Sequence, residues 1–250
     1  MLTGISNAER DSPLGRLGPL VKLGVATAWL LGLALTLEPG PPLLLAATAL
    51  IAGLAIGGIR IERLTRRFGP LALAVLGVAL TNLLFSASNP DPTAHELARI
   101  GPLRLTLEAA EAAAGLAART LAIVSVGAVF ALTTDPTRLV DALVQEARVS
   151  PRFAYGALAA YQAVPRLASD LATIVGARRL RGVRPWHPRV LVGLLVRAIR
   201  HADQLAIAMD ARGFGSGPRT AYREERLTAL DAVFGGAGLA ILVVALVLAP

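Results

Sequence analysis

The sequence contains no cysteine and few charged or aromatic residues. The absence of cysteine excludes disulfide bonds, zinc sites with cysteine ligands and thiol catalysis. Charged residues make up only 17% of the 250 residues, which is less than a soluble chain of this length carries. Aromatic residues make up 4%, so the interleaved aromatic and basic residues typical of nucleic-acid binding are missing, and we expect no nucleic-acid partner.

Motifs for catalysis and nucleotide binding are also missing. The sequence has no G-x-x-x-x-G-K-[ST] segment, so the chain does not bind ATP through a P-loop. It has neither the H-E-x-x-H motif of zinc hydrolases nor the G-x-S-x-G motif of serine hydrolases. The histidines His95, His187 and His201 are scattered along the sequence and do not indicate a shared metal site. We therefore predict a non-enzyme, with no catalytic residue, no cofactor and no resident metal.

Long apolar segments dominate what is present. Apolar residues make up 54% of the chain and the mean hydropathy is +0.60, which indicates an integral membrane protein. At about 1.5 Å per residue, a segment of 17 to 22 residues crosses or nearly crosses a hydrocarbon core of roughly 30 Å. Five such spans are predicted, at residues 20–37, 43–59, 70–87, 112–132 and 227–248. The linkers are residues 38–42, 60–69 and 88–102, and residues 103–111 are predicted to lie at the membrane interface.

The basic residues of the linkers predict the orientation in the membrane. The formal net charge is +8, and four arginines fall within linker 60–69. Linker 38–42 has no basic residue, and the arginine of linker 88–102 is offset by acidic residues. The positive-inside rule therefore places the N-terminus, linker 60–69 and residues 133–225 in the cytoplasm, and the C-terminus outside.

Arg119 and Asp231 are two of the charged residues within the predicted spans. Arg119 lies near the outer end of the fourth span, and we interpret it as a side chain that reaches the interface along its apolar stem. Asp231 lies near the start of the fifth span. We interpret it as a helix-start carboxylate with local partners.

Residues 133–225 are predicted to form a helical arm. A short helix begins at Pro136, capped by Thr134 or Asp135, and runs to about residue 148. Residues 151–181 follow, and Pro165 either ends a helix there or kinks one bent helix of roughly 45 Å. A further helix is predicted with Pro188 in its first turn, where proline is tolerated.

Each of the two longer arm helices ends in Arg-Gly, at Arg181-Gly182 and at Ala211-Arg212-Gly213. Glycine takes the left-handed conformation that stops a helix, and an arginine there complements the exposed carbonyls, so one such end is ordinary capping. Two in tandem within a basic segment indicate docking on a partner with acidic grooves. Both helices carry an apolar stripe. In the second helix, Arg197 and His201 are predicted on the side opposite this stripe. The stripe residues are Leu167, Leu171, Ile174 and Val175 in the first helix, and Leu191, Leu194, Leu195, Ala198, Ala202, Leu205, Ala206 and Met209 in the second.

This stretch resembles the cytoplasmic coupling region of the transmembrane T component of energy-coupling factor transporters, which are ATP-driven importers of vitamins and metal ions. That family carries two short Ala-Arg-Gly motifs at the ends of two long coupling helices. The second motif matches fully here, whereas Leu180 stands where the family usually has alanine in the first. The Thr-Thr-Asp-Pro segment at residues 133–136 and the segment around Pro165 also fit the family.

The resemblance implies an all-α integral membrane protein with about five transmembrane helices and a cytoplasmic arm of two to three amphipathic coupling helices. The predicted division is a cytoplasmic tail (1–18), a four-helix transmembrane region (19–132), the coupling helices (133–225) and a fifth transmembrane helix (226–250). Two ABC-type ATPase subunits are expected to dock at Arg181, Gly182, Ala211, Arg212 and Gly213. A small substrate-binding subunit in the cell membrane is expected to pack against Leu167, Leu171, Ile174, Leu191, Leu195, Leu205 and Met209.

Two other classes of function stay open on the sequence. A self-contained transporter should have polar residues that converge at mid-membrane and repeated halves. An intramembrane enzyme should have acidic residues or histidines clustered at a membrane face. The predicted spans are poor in these features, and vitamins, cobalt and nickel are the candidate substrates under the preferred interpretation.

Overall fold

The computed structural model describes residues 12–36, 38–86, 89, 95–100, 103–215, 217, 223–225 and 227–247. Almost all of its regular structure is helical. The helices are α1 (Pro13–Arg16), α2 (Pro19–Ala34), α3 (Gly40–Ile51, continued by a π-helical turn at Ala52–Ile56), α4 (Ile61–Phe85), α5 (Leu107–Thr133), α6 (Pro136–Gln145), α7 (Pro151–Leu180), α8 (Arg189–Ala211) and α9 (Ala229–Val247), and the strands β1 (Glu96–Ile100) and β2 (Leu103–Thr106) form an antiparallel hairpin.

The predicted fold class, an all-α membrane protein, is confirmed. Three helical segments are long and apolar enough to cross a membrane, namely Phe68–Phe85 within α4, the whole of α5 and the whole of α9. The first two predicted spans coincide with shorter apolar helices, Pro19–Ala34 and Gly40–Ile56. Residues 37, 87 and 248, where three predicted spans end, lie outside the described residues, as do residues 1–11 of the predicted tail.

The predicted linker at residues 60–69 is wrong, because α4 already begins at Ile61. The segment Ile61–Phe68 contains no helix breaker, and Ile61, Leu64 and Phe68 follow the helical repeat. Pro70 lies inside α4. The arginines of this segment therefore extend a membrane-crossing helix by about two turns beyond its apolar part.

The segment predicted at the membrane interface, residues 103–111, contains the end of a hairpin and the start of a helix. Residues 103–106 form β2, whose alternating Leu-Arg-Leu-Thr pattern has the period of a strand, and α5 starts directly after it. The side chain of Thr106 accepts a hydrogen bond from the Ala109 amide at 3.3 Å and caps α5. The Thr106 hydroxyl donates in turn to Asn89 at 3.2 Å.

The transmembrane helices pack around a core of large and small apolar side chains. Trp29 lies in this core, 7% exposed, and its indole nitrogen donates to the Gly238 carbonyl of α9 at 2.8 Å. This bond satisfies the only polar group of the Trp29 side chain in an apolar setting. The buried cluster consists of Val25, Trp29, Leu33, Leu45, Ala46, Ala49, Ala122, Val126 and Ala245.

Asp231 and Arg119 both form hydrogen bonds within the protein. Asp231 accepts hydrogen bonds from the Thr228 amide at 2.8 Å and from the Gly18 amide at 2.6 Å, so its predicted local role at a helix start is confirmed. Arg119 instead donates to the Thr36 carbonyl beyond the end of α2. A cation is favourable near the C-terminal end of α2. Arg119 thus connects α5 with the residues that follow α2.

Contacts divide the described chain into two compact units, residues 12–135 with 227–247, and residues 136–225. The second unit, which we call the arm, consists of α6, α7 and α8. Helix α7 runs without interruption for 30 residues with Pro165 inside it. Of the two alternatives for this segment, a single long helix is therefore the correct one.

Candidate functional site

The end of α7 has the hydrogen-bond pattern of a Schellman cap. Gly182 adopts φ +67°, the left-handed conformation predicted for it. The Val183 amide donates to the Arg178 carbonyl at 3.2 Å, and the Gly182 amide donates to the Arg179 carbonyl at 3.0 Å. These two bonds satisfy carbonyls that the last turn would otherwise leave unpaired.

The end of α8 repeats this geometry. Gly213 also has φ +67°, the Phe214 amide donates to the Met209 carbonyl at 3.0 Å, and the Gly213 amide donates to the Asp210 carbonyl at 2.9 Å. The residues in the C-cap position, Arg181 and Arg212, have nearly the same φ and ψ, −85° and 5° against −90° and 8°. The two tips, residues 178–184 and 209–215, therefore share one backbone conformation although Leu180 replaces alanine in the first.

The arginines at the C-cap positions of the two tips, Arg181 and Arg212, are exposed. Arg181 and Arg212 each precede the left-handed glycine, where the helix has ended and the chain turns away. A guanidinium in this place is held by a rigid helix and still reaches solvent. It presents a planar set of donors that matches a carboxylate.

The second tip is held against α7 by side-chain contacts. The rings of Phe214 and Tyr155 pack edge to face, with centroids 6.4 Å apart and planes at 76°. The Arg152 side chain donates to the Gly215 carbonyl at 3.3 Å. The residues that follow Arg212 are thereby attached to the first turns of α7.

Tyr155 extends this attachment to α6. Its hydroxyl donates to the Asp141 carboxylate at 2.9 Å. Partial burial, followed by this hydrogen bond and the nearby negative charge, raises the pKa of Tyr155 above its usual value. Neither Tyr155 nor Asp141 was predicted as a functional residue, although the phenylalanine directly after the second Arg-Gly was a visible signal for an aromatic partner.

The first tip has different surroundings. The Arg178 guanidinium donates to the Arg184 carbonyl at 3.0 Å, a bond between residues six positions apart. Leu180 is 92% exposed and Trp186 is 61% exposed. Among the described residues, the hydrogen bonds at this tip are thus all local to it.

The contact between α7 and α8 contains polar side chains that were predicted on the opposite face. Arg197 of α8 forms an ion pair with Asp170 of α7 at 2.9 Å, and the Arg166 guanidinium lies 3.4 Å from the His201 ring nitrogen. A groove of about 270 Å³ between the helices is lined by these residues together with Leu167, Leu205 and Met209 of the predicted stripes. The predicted placement of Arg197 and His201 away from the stripe is therefore wrong.

Other residues of the α8 stripe face outwards. Leu191 is 51% exposed and Leu195 is 59% exposed, whereas Leu171 and Ile174 of α7 are half-buried. Residues three, four and seven apart share one side of a helix. The outer face of α8 is thus apolar, and it consists of Leu191, Val192, Leu195, Val196 and Ile199.

Similarity to known proteins shows the family of this chain. Residues 10–222 match the family model CbiQ, described as cobalt transport protein. The chain belongs to this family of transmembrane transport proteins. A curated relative from Heliobacterium modesticaldum, named energy-coupling factor transporter transmembrane protein EcfT, is 31% identical over 228 residues, which cover 83% of this chain and 82% of the relative. Its similarity identifies this CbiQ family member as a T component of energy-coupling factor transporters, as the sequence analysis predicted.

Two further relatives show the range of this family. The energy-coupling factor transporter transmembrane protein BioN of Rhizobium etli is 28% identical over 216 residues, or 82% of this chain and 94% of the relative. A putative ABC transporter ATP-binding protein of Bifidobacterium longum is 26% identical over 255 residues, which cover 93% of this chain but 31% of the relative. The matches extend over both the transmembrane helices and the arm, so the CbiQ family member described here is a multi-pass membrane protein.

Proposed function

We propose that this T component is the transmembrane coupling subunit of an ABC importer of the energy-coupling factor type. It links ATP hydrolysis by two separate ATPase subunits to uptake of a vitamin or a metal ion through a separate substrate-binding membrane subunit. The observation that carries the proposal is the pair of helix ends with one backbone geometry, each presenting an exposed arginine at the same position. Two equivalent tips suit two related partners.

The chemistry of the tips supports ATPase docking at Arg181 and Arg212. An arginine in a partly desolvated acidic groove makes short, directional and often bidentate hydrogen bonds. Ala211, Gly182 and Gly213 are small, so the partner's surface can approach the helix end closely. The relative from Bifidobacterium longum, whose name describes an ATP-binding protein, contains a region similar to this chain in 31% of its length, which supports an association with ABC ATPases.

The outer face of α8 supports packing of a substrate-binding membrane subunit. Leu191 and Leu195 of the predicted packing residues lie on this face and are more than half exposed. Burial of an exposed apolar patch of this kind against a membrane protein is favourable. The remaining predicted packing residues are Leu167, Leu171 and Ile174 of α7 and Leu205 and Met209 of α8. Leu167, Leu205 and Met209 line the groove between the two helices.

The orientation follows from the same proposal. The ATPase subunits act in the cytoplasm, so the arm with its arginines lies on the cytoplasmic side of the cell membrane, as the positive-inside rule predicts. The N-terminus then lies inside and the C-terminus outside. The matched family is described as cobalt transport protein. This description favours a metal ion among the candidate substrates.

Co-purification from the native membrane tests the proposal. The wild-type chain is expected to recover ABC ATPases and a small hydrophobic membrane protein, whose identity names the substrate. The variant with both Arg181→Ala and Arg212→Ala is expected to lose the ATPases while keeping the membrane protein. The matched control carries Arg189→Ala and Arg200→Ala, which remove two exposed arginines of α8 outside the tips and should leave recovery unchanged.

Two outcomes contradict the proposal. Recovery of the ATPases at wild-type stoichiometry with the Arg181/Arg212 double variant would show that the tips are helix caps alone. Recovery of the chain alone, with transport or catalysis retained after reconstitution, would support a self-contained transporter or an intramembrane enzyme instead.

A further inference from the structure

The first helix of the arm binds the last residues of the arm. Arg138 of α6 donates from Nε and Nη2 to the two carboxylate oxygens of Glu225, both at 2.7 Å. Two turns further along α6, the Gln145 amide donates to the Arg223 carbonyl at 2.8 Å and accepts from the Glu225 amide at 3.1 Å. These contacts, which we call the arm closure, join residues about 80 positions apart in the sequence at the place where the arm begins and ends.

The arm closure is not an ordinary surface ion pair. Exposed pairs contribute little, because water screens them and both side chains lose freedom. Here the Glu225 side chain is 8% exposed and that of Arg138 is 23% exposed. The bidentate geometry and the additional bonds from Gln145 satisfy the groups that burial removes from water. Loss of Arg138 would leave the buried Glu225 carboxylate without this counterion.

The transmembrane unit closes its own chain ends in a similar way. The ammonium group of Lys22 donates to the carbonyl of Thr133, the last residue of α5, at 2.8 Å. Four residues earlier, the Gly18 amide donates to Asp231 at 2.6 Å, and Asp231 also binds the Thr228 amide just before α9. Lys22 and Gly18, at the start of α2, therefore bind the end of α5, where the chain leaves this unit, and the start of α9, where the chain returns to it.

We propose that Arg138, Gln145 and Glu225 are positioning residues for energy coupling. They bind the two chain ends of the arm to each other, so that both ends move together. A displacement of the arm then moves together its two chain ends, which continue into α5 and α9. This inference rests on the proposed coupling function. It places the residues in the transmission of motion and away from the docking tips.

This chain contains no cysteine, so introduced cysteines are its only sites for thiol labelling. Spin labels at Ala147→Cys and Arg223→Cys, both exposed positions, report the distance across the arm closure in the complex purified from its native membrane. We expect a narrow distance distribution with and without ATP in the wild-type background. We expect Arg138→Gln and Glu225→Gln to broaden it, and the charge-swapped double variant Arg138→Glu with Glu225→Arg to narrow it again.

Transport measurements in liposomes provide the second readout. With radioactive Co²⁺ and radioactive biotin as probes, we expect Arg138→Gln and Glu225→Gln to lower uptake per ATP hydrolysed on the order of tenfold, a size typical of mutations that change the coupling between sites. Recovery of the ATPase subunits should stay at the wild-type level. The control Asp170→Asn removes another ion pair of the arm, the one with Arg197, and should leave both readouts unchanged.

The outcomes separate this inference from the proposed function. A narrow distance distribution and unchanged uptake per ATP in both single variants would overturn the role of the arm closure while leaving ATPase docking intact. A wild-type complex without ATPases would overturn the proposed function, and the distance measurement would still decide whether the arm closure holds the chain ends. Failure of the charge-swapped variant to restore a narrow distribution would count against pairing of these two charges.

Discussion

The two tips of the arm have one backbone conformation and different attachments. At the second tip, Phe214 packs on Tyr155, and Arg152 binds the Gly215 carbonyl. At the first tip the described hydrogen bonds stay within the tip, and Leu180 is 92% exposed. A helix-end motif thus fixes the backbone conformation at the arginine, whereas residues outside the motif decide how firmly the tip is attached to the rest of the arm.

The difference predicts unequal docking at the two tips. A side chain that is already held in its bound position loses less freedom on binding. We therefore expect the second tip to contribute more to ATPase affinity than the first. The same comparison explains how a tip can tolerate leucine in place of alanine, since Leu180 contacts little in the chain itself.

The largest expected effect is on ATPase affinity. Arg212→Ala should weaken docking by about 2–5 kcal/mol, the range for truncating one partner of a desolvated charge pair, and Arg181→Ala should weaken it less. Titration of the solubilised chain with purified ATPase measures both values. Equal losses at the two tips would remove the proposed difference, and Arg212→Lys, which keeps the charge but not the planar donors, shows how much of the loss is geometric.

Alanine at the two glycines should have equal effects. Gly182→Ala and Gly213→Ala each force a side chain into the left-handed region, which costs about 1–2 kcal/mol. Hydrogen exchange of the last-turn amides measures the loss of each cap. As a control, Gly176→Ala lies within α7 with open space around its added methyl group, and it should not weaken the helix. A cost at one tip only would contradict the shared backbone geometry.

Removal of the aromatic contact should affect the second tip alone. Phe214→Leu and Tyr155→Leu should show a coupling of about 0.5–1.5 kcal/mol in a double-mutant cycle, as edge-to-face pairs do. The cycle is measured by hydrogen exchange at residues 209–215. Trp186→Leu, which changes an exposed aromatic residue near the first tip, serves as the control and should leave the exchange at residues 178–184 unchanged.

The smallest expected effect concerns pH. Because the pKa of Tyr155 is raised in the folded arm, the stabilisation from its hydroxyl is complete below the ordinary tyrosine pKa of about 10 and is lost as the pH rises through the higher folded value. Tyrosinate absorbance of the wild type minus that of Tyr155→Phe gives the titration of this group. Asp141→Asn should return the titration towards the ordinary value, and an unchanged midpoint would contradict the role of that carboxylate.

Much of the site could be predicted from the sequence because its signals are local. Glycine after the last helical turn, with arginine before it, specifies a left-handed cap without help from the rest of the chain, and Gly182 and Gly213 both adopt it. The continuity of α7 through Pro165 was left open, since a proline inside a long helix removes one hydrogen bond that packing on either side can offset.

The face by which α8 contacts α7 could not be predicted in this way. Apolar periodicity normally marks the side that packs inside the same chain. Here the contact includes the Arg197–Asp170 ion pair, and Leu191 and Leu195 face outwards. One helix's pattern does not specify which of its neighbours covers the apolar side. The hairpin of β1 and β2 was missed because its strands have only five and four residues.

The length of α7 has a mechanical consequence. At about 1.5 Å per residue its 30 residues measure about 45 Å, so a tilt of about 10° about one end carries the other through about 8 Å. Pro165 lies near the midpoint, where the missing backbone bond makes the rod easiest to bend. Under the proposed coupling function, the bending stiffness of α7 at Pro165 determines how much of a displacement at Arg181 is transmitted to Pro151.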